Sequence, residues 1–190
     1  MKILAAGDVF GTYGCDYLSK VLPGIKKENN IDLCIVNGEN SAPYNGITKQ
    51  SAEQIFDAGA DVITTGNHVF GHRESFDYIE ETQMLIRPEN YGDSAPGHGY
   101  CTVDLGRCRV LVMNISGLVF MEGLNDPFRT ADRIIDENKD IKIKVLDFHA
   151  EATSEKKAMG YYLDGRVSCV FGTHTHVQTA DERVLEKGTA

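Results

Sequence analysis

The sequence has no Cys-x-x-Cys pair among its five cysteines, no surplus of positive charge, and no apolar run long enough to span a bilayer. Each absence closes a class. Cys15, Cys34, Cys101, Cys108 and Cys169 are odd in number and scattered, which argues against a disulfide framework or a zinc knuckle and reads as small buried thiols. A formal net charge of −9 argues against a broad surface for the nucleic-acid backbone. A phosphate ligand is then expected at one site, where bound cations would reverse the sign locally. The opening apolar run, Met1 to Ala6, is too short for a signal peptide, so the expected location is the cytoplasm, away from membranes. What is present suffices for a core. With 190 residues, 42% of them hydrophobic and 25% charged, the chain reads as one soluble domain over residues 1–190, without internal repeat or low-complexity linker.

Apolar runs closed by glycine give the organisation. Residues 2–6 read as a strand ending at Gly7-Asp8, followed by a glycine-rich turn and a helix to about Asn29. The glycines of that turn match neither G-x-G-x-x-G nor the P-loop spacing, so they give only weak support for cradling a nucleotide. Asp32 to Asn37 is the next strand, broken at Gly38 with Glu39-Asn40 beyond. Thr48 reads as the N-cap of a helix that turns Ala52, Ile55, Phe56 and Ala58 inward. Asp61 to Thr65 is a third strand, and Gly66-Asn67-His68 follows it. Near-continuous apolar strands alternating with helices imply a parallel sheet in an α/β fold. After a helix near Glu74–Glu81, the segment Met84-Leu85-Ile86 leads into the turn at Arg87-Pro88.

From there the texture changes. Tyr100–Leu105 and Arg109–Ile115, joined by Gly106-Arg107-Cys108, read as an antiparallel hairpin that starts a second sheet or forms an edge. Asp126-Pro127 opens a helix running to about Asn138. Ile141–Phe148 is a strand ending at His149, Ser154–Leu163 a helix, and Val167–Phe171 a strand closed by Gly172. Thr153-Ser154 reads as that last helix's cap, or as a terminus facing an anion.

His174 and His176 then follow one residue apart. On an extended segment such a pair points the same way, since strand side chains repeat every second residue. Taken alone it fits either a two-pronged metal grip or two ordinary loop histidines. The wider pattern favours the grip. Open α/β sheets bind ligands beyond the carboxyl ends of their strands, and Asp8, Glu39-Asn40, Asn67-His68, His149 and His174/His176 fall at five such ends. Carboxylate, amide and imidazole donors in that number exceed what one tetrahedral metal takes, and Glu39 could bridge two. His72 and His98 fall at no strand end and read as surface residues.

These residues carry a resemblance. Gly-Asp8-Val, Asn-Gly-Glu39-Asn40, Gly-Asn67-His68, the run Asp147 to Lys156, and Gly-Thr-His174-Thr-His176-Val-Gln-Thr-Ala-Asp181 together resemble the calcineurin-like metallophosphoesterases, specifically their bacterial YmdB-type branch. The resemblance runs in order through nearly the whole chain. It implies a four-layer α/β/β/α sandwich, phosphodiesterase activity with cyclic nucleotides such as 2′,3′-cyclic AMP among the substrates, and two metal ions, iron or manganese. It assigns Asp8, Glu39, Asn40 and His176 to one ion, and Glu39, Asn67, His149 and His174 to the other. Two departures from the wider superfamily suit the branch: Phe10 stands where a histidine is usual, with Asn40 as its replacement, and Val69 stands where an acid is usual. A local departure at Pro43-Tyr44-Asn45-Gly46 bears on substrate preference. The resemblance also implies further strands beyond Ala190, so the chain reads as C-terminally shortened.

The implied mechanism has two cations about 3.5–4 Å apart aiming a bridging hydroxide at phosphorus, with His68 protonating the leaving oxygen. The expected partner is a small phosphodiester or cyclic nucleotide. A homo-oligomer stays open, RNA is less favoured, and two other functions stay open: a non-catalytic metal-binding regulatory module, and a phosphomonoesterase or nuclease on the same fold.

Overall fold

The computed structural model describes residues 1–190, which form two compact units: Met1–Arg87 with Pro96–His98, and Pro88–Ala95 with Gly99–Ala190. Two sheets and five helices make up the α/β fold expected from the apolar runs.

The first unit contains β1 (Ile3–Ala6), α1 (Gly11–Asn29), β2 (Leu33–Asn37), α2 (Lys49–Asp57), β3 (Val62–Thr64), α3 (Ser75–Glu81) and β4 (Leu85–Ile86). Its strands lie in the order β1-β2-β3-β4, all parallel. Every residue of β2 and β3 is buried, the expected state of an interior strand covered on both faces. The segment read only as a lead into the turn at Arg87 is itself a short strand, β4, which extends the sheet. Helix ends follow local chemistry. Thr48 Oγ1 accepts from the Ser51 N–H, and Ser51 answers the Thr48 N–H, closing a capping box. Asn30 ends α1 in the left-handed region at φ 53°, a conformation asparagine tolerates better than most residues. Arg87 is buried, and its guanidinium donates to the carbonyls of Pro96 and Gly97. That tie, with the Arg87 N–H on the His98 carbonyl, brings residues 96–98 into this unit.

The second unit contains β5 (Tyr100–Asp104), β6 (Arg109–Ser116), α4 (Pro127–Glu137), β7 (Ile143–His149), α5 (Thr153–Tyr162) and β8 (Cys169–Thr173), with a 3₁₀ turn at Glu89–Tyr91. The hairpin is present: β5 pairs antiparallel with β6 and forms the edge of a sheet ordered β5-β6-β7-β8. The remaining pairs are parallel. Leu111, Met113 and Ile115 of β6, Leu146 and Phe148 of β7, Ala131 and Ile134 of α4, and Met159 of α5 form its core. Asp126 caps α4 by accepting from the Phe128 and Arg129 N–H groups, with Pro127 in the first turn.

The cap expected at Thr153-Ser154 is not formed. Ala152 occupies the N-cap of α5 and makes no side-chain cap bond, because alanine has no acceptor to offer. Glu155 lies in the first turn of α5. It is buried, and its carboxylate accepts from the Leu118 and Val119 N–H groups beyond β6. Cys15, Cys34 and Cys101 are buried thiols, while Cys108 and Cys169 are partly exposed. No helix is long and apolar enough to cross a membrane.

Candidate metal centre

In the first unit three strand ends converge. The turn after β1 is fastened to the end of β2, since the Val9 N–H donates to the Asn37 carbonyl at 2.9 Å and the Gly11 N–H to the Asn40 carbonyl at 2.8 Å. Asp8 is thereby held beside Glu39-Asn40. The end of β2 is in turn fastened to the end of β3, with Gly38 N–H on the Thr64 carbonyl and the Asn37 side-chain amide on the Thr65 carbonyl. A β-carbon at Gly38 would come within 3.0 Å of both Ile55 and Ile63 side chains, so only glycine lets the chain turn here without displacing the core.

Glu39 and Asn40, which in isolation would be solvated loop residues, are both buried, Glu39 with 0% exposure. The Glu39 carboxylate meets a neutral donor at each oxygen. Oε1 accepts from Asn40 Nδ2 at 3.0 Å, and Oε2 accepts from the His68 N–H at 3.1 Å. A fully buried carboxylate is costly unless something compensates it, and these two hydrogen bonds contribute part of that compensation. Asn67 and His68 are half-buried after β3, with Asn67 Nδ2 3.4 Å from His68 Nε2. Val69 is fully buried, a place where the acid usual in the wider superfamily would need a partner of its own.

In the second unit His149 ends β7 and is fully buried. His174 lies just past β8, with its Nδ1 3.1 Å from His149 Nε2 and its Nε2 3.0 Å from Glu151 Oε2. The rings meet edge to face, their centroids 4.9 Å apart. His149 Nδ1 contacts Thr173 Oγ1 at 2.8 Å, and Thr173 Oγ1 contacts Asp147 Oδ1 at 2.6 Å.

The extended display expected of His174 and His176 does not occur. β8 ends at Thr173, and both histidines have positive φ, 96° and 52°. Strand alternation therefore no longer decides where their side chains go; His174 is half-buried and His176 exposed. His98 is exposed, as expected. His72 is more than a surface residue: its Nε2 lies 3.1 Å from the Pro43 carbonyl and 2.8 Å from the Asn45 carbonyl, bracing the loop after Asn40. Glu151, Thr173 and Asp147 were not singled out individually from sequence. The last two become visible only through strand register, since His149 pairs with Thr173 while Asp147 shares its face of β7.

Within the first unit a buried carboxylate and side-chain amides, and within the second unit imidazole nitrogens, are donor types that metal ions take.

The family model described as YmdB-like protein matches residues 4–190. The 2′,3′-cyclic-nucleotide 2′-phosphodiesterase of Bacillus subtilis (strain 168) is 45% identical over 191 residues, an alignment covering 100% of this chain and 72% of that protein. A solved structure of a hypothetical protein from Thermus thermophilus superposes with a TM-score of 0.94 at 41% identity, over 100% of this chain and 73% of that one. That of a novel phosphatase from Mycoplasma pneumoniae gives 0.93 at 32% identity, over 100% and 69%.

Proposed function

The chain belongs to the YmdB-like protein family, and on that premise we propose that it is a metal-dependent phosphodiesterase of small cyclic nucleotides, 2′,3′-cyclic AMP among them, working in the cytoplasm. Residues 1–190 would act as one metallophosphoesterase domain. Asp8, Glu39, Asn40 and His176 would hold one ion and Glu39, Asn67, His149 and His174 the other, with iron or manganese at each. Such a pair, when bound, neutralises phosphate charge and lowers the pKa of a water. The activity in the name of the Bacillus subtilis relative supports the substrate class.

The observation that carries the reading is the burial of Glu39 where the loops after β2 and β3 meet, its oxygens accepting from Asn40 Nδ2 and the His68 N–H. A carboxylate is a ligand type that such ions take, and its position at the joint of two loops suits a shared ligand. His68 follows Asn67 directly and is partly exposed. It can stand beside a phosphate as proton donor to the leaving oxygen while its backbone N–H supports Glu39.

The test loads purified protein with iron or manganese and offers bis-p-nitrophenyl phosphate and 2′,3′-cyclic AMP. Turnover that disappears in Glu39→Gln is the expected result. Bound metal without turnover of either ester would replace the enzyme with a metal-binding regulatory module.

A further inference from the structure

Asp147 and Thr173 are buried, polar and without a role in the reaction described above. Their bonding direction can be worked out from the groups themselves. A carboxylate only accepts and a hydroxyl has a single proton, so in the 2.6 Å contact the Thr173 hydroxyl donates to Asp147 Oδ1. Its proton is then spent. In the 2.8 Å contact with His149 the hydroxyl oxygen can only accept, and Nδ1 of the imidazole donates. The neutral ring therefore carries its proton on Nδ1 and its lone pair on Nε2, the nitrogen that faces His174 at 3.1 Å.

We infer that Asp147 and Thr173 are positioning residues that act through His149, fixing the tautomer in which Nε2 carries the lone pair that a metal ion would take. The sheet builds the chain of contacts. Asp147 and His149 lie two residues apart on one face of β7, and Thr173 is the register partner of His149 on β8. The ring is also set in orientation, since a histidine held at one nitrogen by a hydrogen bond cannot turn the other away. A buried carboxylate whose only purpose was to pair two strands would be an expensive choice, because the backbone ladder already pairs them.

The metal-positioning role rests on the proposed function, whereas the tautomer does not, and the two are measured separately. Long-range proton–nitrogen correlation spectra of the metal-free protein should show His149 with a protonated Nδ1 and an unprotonated Nε2. Thr173→Val, nearly the same in shape, should abolish that pattern and weaken manganese binding about 10–100-fold, and Thr173→Ser should restore both. Asp147→Asn, which can turn its amide toward the hydroxyl and reverse the chain, should raise the share of His149 protonated on Nε2. A Thr173→Val protein that keeps the Nδ1–H pattern overturns the inference, as does one that loses only thermal stability. If the parent protein binds no manganese and cleaves neither ester, the functional reading falls, while the spectra still decide the tautomer.

Discussion

The His68 N–H donates to Glu39 Oε2 at 3.1 Å, so one carboxylate joins the loop after β3 to the loop after β2. Asn40 Nδ2 donates to the other oxygen. In Glu39→Gln only one atom of the new amide accepts, and one of the two donors is left facing an NH₂ group. The metal-free protein should lose about 1–3 kcal/mol of stability in chemical denaturation. On the proposed reading of Glu39 as a shared ligand, elemental analysis should find both metal equivalents reduced together. Full occupancy with an unchanged rate would exclude a shared ligand.

On the proposed role of His68 as proton donor, His68→Ala separates proton transfer from metal binding. The backbone bond to Glu39 survives the substitution, so metal content should stay near that of the parent while turnover of 2′,3′-cyclic AMP falls about 10²–10⁴-fold. Parallel loss of metal would make His68 a ligand or a structural residue.

The tip of the loop after Asn40 stores backbone strain. Tyr44 and Asn45 have φ of 64° and 70°, the signs of a turn that normally carries Asn-Gly. The Tyr44 side chain is wholly exposed, at 101%, and recovers nothing by packing. Tyr44→Gly should therefore raise stability by about 0.5–1 kcal/mol, the relief of a left-handed tyrosine less the chain entropy of glycine. An upward shift of the urea midpoint is the check, and a downward one would show that the balance of strain and entropy has the opposite sign.

Gly117 lies where β6 gives way to the loop pinned by Glu155. A β-carbon there would collide with Glu155 Oε2 and come within 2.7 Å of Ala150 Cβ. Gly117→Ala should cost about 1–3 kcal/mol, as overpacking of a filled site does. Equal unfolding midpoints for the two proteins would show that the Glu155 carboxylate can move aside.

Thiol chemistry should sort the cysteines. Burial pushes the Cys34 thiol up to about 11 and the Cys101 thiol up to about 12, leaving almost no thiolate at neutral pH. Cys15 is raised as well, by burial first and by Asp16 second. Under native conditions near neutral pH, iodoacetamide should modify the partly exposed Cys108 before any of these three. Mass spectrometry of the labelled peptides reads the order.

The elements were legible because apolar runs and glycine breaks act locally: the extents expected for β2, β3, β7 and α4 lie close to those observed. The position of Asp8, Glu39-Asn40, Asn67-His68 and His149 at or just past strand ends was legible for the same reason. The failures all depend on contacts distant in sequence or on backbone angles. The positive φ of His174 and His176 leaves no trace in a His-x-His spacing. The place of Glu155 in a helix's first turn was legible, whereas its bonds to the Leu118 and Val119 N–H groups reach across 36–37 residues. The Asp147–Thr173–His149 contacts need the register of β7 on β8, and His72 needs the loop it braces.

The hairpin of the second unit has a consequence for how the chain finds its structure. β5 and β6 close over residues 105–108, where the Leu105 N–H meets the Cys108 carbonyl and Gly106 takes a positive φ. Every pairing in the first sheet must instead enclose a far longer crossover. Ring-closure entropy is smallest for the short connection, and local contacts form fastest. The middle of the chain therefore owns a kinetic head start, and the parallel strands on its amino-terminal side must wait for their helices.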